Sequence, residues 1–151
     1  MKNKNILLAV CGSISFYKAY EILSLLKKNG ANVKVLLSDG ALKFATPVGF
    51  EALSDGVLTS LNESWANGLD HISFSKNDLL IIAPASANSI NKIANGIADD
   101  MLTTTVMATK AKVLIAPAMN TNMYANPIVQ KNISTLKELG YNFVEPESGR
   151  L

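Results

Sequence analysis

The stretch DLLIIAPASANS, residues 78–89, decides the fold. Its first half, Asp78–Ala83, is a continuous aliphatic run with no alternation, the mark of a strand buried on both faces. Pro84 ends the run, and the small polar residues Ala85–Ser89 open a helical region. The same order of strand, turn and helix recurs outward in both directions. Upstream, Asn5–Val10 (NILLAV) is another buried strand. A helix follows over Ser13–Lys28, with Ile14, Tyr17, Ile22, Leu25 and Leu26 near helical spacing and Lys27, Lys28 and Gly30 closing it. Ala31–Ser38 is the next strand. Asp39 is placed to cap a short helix through Phe44, Thr46-Pro47 marks a break, and Pro47–Leu53 holds another helical turn or two. Val57–Asn62 reads either as a short strand or as a loop. Downstream, Ala87–Lys110 is helical, broken near Gly96 and restarted at Asp99 or Asp100. Lys112–Ala116 is a strand, Ile128–Leu139 a helix stopped by Gly140, and Tyr141–Val144 the last strand.

Such alternation predicts parallel βαβ units and an α/β fold. The expected architecture is three-layered and Rossmann-like or flavodoxin-like, an open parallel sheet with helices on both faces. Residues 1–151 are read as a single domain. Hydrophobic residues make up 48% of the chain and charged residues 17%, which points to fully buried strands, a subunit interface, or both. No apolar run approaches the roughly 20 residues that span a membrane. The N-terminus MKNKNILLAVCGS has the basic start and apolar run of a signal peptide, but it flows into a Gly-Ser turn as a first strand does. A net charge of +2 without a Lys/Arg block argues against nucleic acid as a partner. Cys11 is the only cysteine, so neither an internal disulfide nor a thiolate metal cluster can form within one chain. A cytoplasmic setting is therefore expected.

Open parallel sheets bind ligands beyond the carboxyl ends of their strands, and the chemistry-bearing residues cluster there. In Gly12-Ser13-Ile14-Ser15 a glycine permits a tight turn, the N–H groups of a helix start favour an anion, and two hydroxyls add donors. Ser13 as a plain helix cap is the other reading. The loop is not GxGxxG, so a dinucleotide fingerprint is not supported. In Ser38-Asp39-Gly40, Asp39 either faces a sugar-like chain or caps a helix. In Pro84–Ser89, small residues permit close approach of a flat ligand, and Ser86, Asn88 and Ser89 offer more polar groups than one cap needs. In Pro117–Tyr124, Asn120, Asn122, Met119 and Met123 either hold a carboxylate or amide beside an apolar ring, or form an Asn-rich helix entry over the core. His71, the only histidine, is either structural or the one imidazole available for acid–base work near neutral pH. Asp99-Asp100 reads as caps and dipole partners, and with no zinc spacing present no metal is expected.

These loops resemble the homo-oligomeric flavin-containing cysteine decarboxylases, and among them the phosphopantothenoylcysteine decarboxylases that form half of bacterial bifunctional coenzyme A biosynthesis proteins. The likeness runs from Lys4 to Leu151. It is strongest over Asp78–Thr105, where Pro84–Ser89 matches the family's PASANT motif, and over Pro117–Tyr124, which matches PxMNxxMW. The resemblance implies FMN as cofactor, held by Gly12, Ser13, Ile14, Ser38, Ser86, Ala87, Asn88 and Ser89, with Ala118 near the ring. It implies that His71 acts at the substrate and that Asn120 and Met123 position the substrate's carboxylate end. The implied reaction converts 4′-phosphopantothenoylcysteine to 4′-phosphopantetheine and CO₂. In it the cysteine side chain is oxidised to a thioaldehyde, the carboxylate leaves to give an enethiolate, and reduced flavin returns the electrons. Homotrimers, or dodecamers of trimers with FMN at subunit interfaces, are implied as well. Alternatives within reach are a peptidyl-cysteine decarboxylase and a non-catalytic flavin-fold regulatory subunit.

Three positions depart from the family pattern. Tyr124 stands where the second motif has tryptophan, Ser89 replaces threonine, and Ile72–Lys76 follows His71 where relatives carry a glutamate. The family continues past the Pro-Glu-Ser-Gly-Arg-Leu segment into a substrate flap whose cysteine protonates the enethiolate. The chain is therefore expected to be a truncated decarboxylase domain, without that flap or a ligase domain.

Overall fold

A computed structural model of the chain describes residues 1–146; Glu147–Leu151, the end of the Pro-Glu-Ser-Gly-Arg-Leu segment, lie outside the described residues. The aliphatic runs form six strands: β1 (Asn5–Val10), β2 (Asn32–Leu37), β3 (Val57–Leu58), β4 (Leu79–Ala85), β5 (Lys112–Pro117) and β6 (Asn142–Phe143). All pairs are parallel, in the order β3-β2-β1-β4-β5-β6. The first half of the chain builds outward from β1 in one direction. The second half builds outward from β4 in the other. The order is the Rossmann one, with its reversal between β1 and β4.

Seven helices cross between these strands: α1 (Lys18–Lys28), α2 (Pro47–Leu53), α3 (His71–Phe74), α4 (Ala87–Ala94), α5 (Met101–Ala108), α6 (Thr121–Ala125) and α7 (Pro127–Glu138). The reversal decides which face each one covers, because parallel crossovers are right-handed. Ile6, Leu8, Val10 and Val35 pack with Leu23 of α1 and Phe50 of α2 on one face. Leu7, Ala9, Leu80 and Ile82 pack with Phe74, Ile90, Leu102 and Ile133 of α3, α4, α5 and α7 on the other. Side chains of central strands are thus buried on both sides, which is why β1 and β4 show no alternation.

Several boundaries differ from the sequence expectation. The first helix begins as a 3-10 turn, Ile14–Tyr17, capped by the Ser13 hydroxyl. The short helix after β2 is capped by Ser38, whose Oγ accepts the Ala41 N–H at 3.1 Å, while Asp39 is exposed. Ser38 wins because it is buried at the strand end, three residues before the amide it satisfies. β4 does not stop at Pro84 but runs through it to Ala85, across a cis Ala83–Pro84 bond and a register shift against β5. The helical region after β4 breaks as expected, and Asp100 rather than Asp99 restarts it. Asp100 accepts the Thr103 N–H at 2.8 Å and Thr103 Oγ1 accepts the Asp100 N–H at 3.2 Å, a closed capping box. Asp99 instead accepts from Lys92.

These separate roles give a test. Asp100→Ala is expected to cost about 1 kcal/mol of unfolding free energy, the usual value of a lost N-cap, whereas Asp99→Ala leaves the urea midpoint in place. Equal losses from the two substitutions would contradict the assignment.

Candidate functional site

Four loops leave the carboxyl ends of β2, β1, β4 and β5, which are neighbours in the sheet, so the loops stand in one row. Backbone hydrogen bonds join each to the next. The Ser38 N–H donates to Val10 O at 3.0 Å, Cys11 N–H to Pro84 O at 3.1 Å, and Ala118 N–H to Ala85 O at 2.9 Å. The middle bond spans the β1–β4 reversal, where open α/β sheets form their ligand crevice.

Gly12 meets Gly40 backbone to backbone. A Cβ on Gly12 would lie 2.7 Å from the Gly40 carbonyl carbon, so no other residue fits without moving the loop. Beside this floor, Ser13 Oγ lies 2.9 Å from Ser15 Oγ and accepts the Ser15 N–H at 3.2 Å. Ser86 caps α4: its Oγ accepts the Ser89 N–H and donates to Ser89 Oγ, both at 3.2 Å. The Cys11 thiol lies buried beneath; burial pushes it above the ordinary thiol range, and hydrogen bonds with Ser89 and Ser86 pull it back only in part. The thiol is a floor tile here, not a nucleophile. Asn88 and Ile14 are exposed beside the row, and Ala87 is buried behind it.

The loop after β5 carries its amides outward. Asn120 caps α6, its Oδ1 accepting the Asn122 N–H at 2.7 Å, and no described residue accepts from its NH₂ group. Met123 is half exposed, so it does not fill the core. Tyr124 packs partly buried against the core, and its hydroxyl reaches Glu145 at 3.4 Å. An aromatic face is thus kept where the motif has tryptophan.

His71 stands elsewhere, as the first residue of α3 in the crossover between β3 and β4. No hydrogen bond among the described residues links it to the four loops. Its ring lies against Trp65, centroids 5.2 Å apart and planes at 84°. The preceding Asp70 is 2% exposed. Hydrogen bonds from Ser73 and Ile72 hold its carboxyl below the ordinary carboxylate range, the Ser73 N–H first among them. The loops joined in this row carry Gly12, Ser13, Ile14, Ser38, Ser86, Ala87, Asn88, Ser89 and Ala118, with Asn120 and Met123 at one end, and no hydrogen bond among the described residues ties His71 to them. Sequence reading passed over Trp65, whose contact depends on a loop closure that no periodicity signals. The one available clue was an indole six residues before the only histidine, with Gly68 between them.

Comparison with known proteins identifies the family. A family model described as Flavoprotein matches residues 1–151. The chain is 48% identical over 154 residues to the coenzyme A biosynthesis bifunctional protein CoaBC of Bacillus subtilis, covering 100% of this chain and 38% of that protein. It is 42% identical over 153 residues to a probable phosphopantothenoylcysteine decarboxylase of Streptococcus mutans, covering 98% of this chain and 86% of the relative. Among solved structures it resembles the FMN-dependent cysteine decarboxylase SpaF (TM-score 0.88, 33% identity, 97% of this chain and 86% of the other). It also resembles a PPC decarboxylase variant complexed with pantothenoylaminoethenethiol (TM-score 0.84, 29% identity, 99% and 86%). The chain thus spans about two fifths of the bifunctional relative's length.

The Asp70 cap has a pH signature. A carboxylate held below its unfolded value stabilises the fold above about pH 4 and loses that contribution as pH falls through the depressed folded value. The thermal midpoints of wild type and Asp70→Asn should differ by a constant amount near neutrality and converge below about pH 4. A gap that persists unchanged into acid would contradict the buried, ionised cap.

Proposed function

The chain belongs to the flavoprotein family, and from that premise we propose that it holds FMN and decarboxylates 4′-phosphopantothenoylcysteine to 4′-phosphopantetheine in coenzyme A biosynthesis. The observation that carries this reading is the joined row of strand-end loops at the β1–β4 reversal, built from the residues of both decarboxylase motifs.

The residues present fit FMN. The Gly12–Gly40 contact makes a cradle that a single Cβ would fill. The half-buried Ser13 and Ser86, at the ends of the neighbouring strands β1 and β4, offer hydroxyls suited to a phosphate, each backed by a buried serine, Ser15 or Ser89. Ser38 shapes the neighbouring turn through Ala41. Ala87 and Ala118 are small and Asn88 is exposed at the row, side chains that suit a flat ring with an amide at its edge. When bound, FMN supplies a two-electron acceptor and donor, so that the overall loss of CO₂ is redox-neutral. Asn120 offers its free NH₂ to the substrate carboxylate, and Met123 lies one helical turn on as an apolar neighbour. His71 holds and moves the proton at the substrate's thiol sulfur.

No hydrogen bond among the described residues links His71 to the row, and a second copy of the chain would bring an imidazole there. Ile14 and Phe44 lie exposed in the segments after β1 and β2, and Ile72 lies exposed beside His71 in the sequence. Two apolar surfaces of this kind, one at each half of a site, favour an assembly in which one copy's His71 faces its partner's loops. The family resemblance implies a homotrimer, or a dodecamer of trimers, and these exposed apolar side chains support self-association.

The second reading, a peptidyl-cysteine decarboxylase, draws on the likeness to the peptidyl-cysteine decarboxylase EpiD, a solved structure at 31% identity and TM-score 0.89. The higher identities, 42% and 48%, are to relatives named for coenzyme A chemistry, and they favour the first reading. A purely regulatory flavin-binding subunit needs no imidazole at its site.

Decarboxylation followed by mass spectrometry separates these readings. Phosphopantothenoylcysteine is expected to turn over faster than any cysteine-ended peptide. His71→Asn should lower kcat about a hundredfold or more while the flavin content stays the same. Preference for the peptide would favour the second reading, and unchanged turnover in His71→Asn would favour the regulatory one. Light scattering should give a trimer or a multiple of it; an active monomer would contradict the shared site.

A further inference from the structure

We propose that Trp65 and Asp70 are positioning residues for His71, together forming a holder that fixes the imidazole in one orientation; this rests on the acid–base role given to His71 above. Trp65 is the chain's only tryptophan and is 61% exposed. An indole that open to solvent contributes little to the core, and its one aromatic partner among the described residues is His71.

The segment around it is built to make that contact. Ser64 and Leu69 exchange both backbone hydrogen bonds, Ser64 N–H to Leu69 O at 2.7 Å and Leu69 N–H to Ser64 O at 2.9 Å. The intervening residues form a 3-10 turn, Trp65–Asn67, ended by Gly68 in the left-handed region at φ 71°. Asn67 Nδ2 adds a bond to Ser64 Oγ at 3.1 Å. This closed clip returns Trp65 edge-to-face onto the histidine ring, a favoured geometry for two aromatic rings.

The other side of the holder is the Asp70 cap. Asp70 Oδ1 accepts the Ile72 N–H at 3.0 Å and the Ser73 N–H at 2.8 Å, and Oδ2 accepts Ser73 Oγ at 2.9 Å. Four residues are too few to hold a helix by themselves, so the cap sets the backbone from which His71 projects. Phe74, fully buried, anchors the far end in the core, and Thr109 Oγ1 donates to Ser75 O at 2.9 Å to tie that end to the chain leaving α5. The Ser73 hydroxyl and N–H are both engaged by Asp70.

The test uses the flavin-loaded enzyme and phosphopantothenoylcysteine. Trp65→Ala and Asp70→Ala should each lower kcat about tenfold or more, with KM held within about twofold and assembly and flavin content unchanged. Trp65→Phe and Asp70→Asn, which keep a ring and a cap, should recover most of the rate. In a His71→Asn background, Trp65→Ala should lower the residual rate no further, because the two residues act through one group. Full activity in Trp65→Ala, an additive loss in the double variant, or loss of the oligomer in place of kcat would overturn the proposal. If the wild type turns over neither substrate class, the functional reading fails by itself. The holder is then read from the near-UV circular dichroism of the sole indole, against Trp65→Phe as blank. That signal should weaken in His71→Ala and Asp70→Ala, and an unchanged signal in both would overturn it.

Discussion

One hydrogen bond, Cys11 N–H to Pro84 O, sits where the two halves of the sheet meet. β1 and β4 are adjacent in space but separated by two other strands in sequence, and the loops leaving them turn to opposite faces. A crevice opens wherever a parallel sheet divides in this way. On one side stands the Gly12 turn with its hydroxyls and on the other the Ser86 cap, with Cys11 fully buried at the end of β1. Polar groups so deep must be satisfied internally, and no buried side-chain nitrogen or oxygen among the described residues lacks a partner.

The rest of the molecule follows from keeping that junction rigid. Strands packed on both faces leave β1 and β4 little room to shift, with Leu7, Leu8, Leu80 and Ile82 at essentially no exposure. The helices behind the loops are fastened to one another as well. Asn132 of α7 donates to Asn91 of α4 at 2.9 Å, a nearly buried amide pair, and α4 begins at the Ser86 cap. The floor of the site is thereby stiff, while His71, the proposed acid–base group, is carried on a four-residue helix in a loop-rich crossover. Such a division suits a reaction in which the cofactor must stay fixed and the proton donor must be assembled around the substrate.

Aliphatic runs made the strands legible, since burial on both faces leaves a pattern that depends only on local composition. The row of loops was legible for a related reason: in a parallel sheet every strand end that can carry chemistry lies on one edge. Boundaries governed by single hydrogen bonds were not. Whether Ser38 or Asp39 caps the turn after β2, or whether β4 passes through Pro84, depends on which atom is buried and what lies across the sheet. The placement of His71 was out of reach for the same reason. Its contact with Trp65 comes from a clip closed by Ser64 and Leu69, and neither residue has a sequence signature for that pairing.

The central claim is that the joined loops at the β1–β4 reversal form the FMN cradle. Titrating FMN into the flavin-free wild type and into Gly12→Ala, with circular dichroism to show that both are folded, tests it most directly. The wild type is expected to bind FMN tightly and stoichiometrically. Gly12→Ala should lose at least about tenfold in affinity, since loops held this closely cannot admit a methyl group without moving. Equal affinity in the two folded proteins would place the flavin elsewhere and contradict the account.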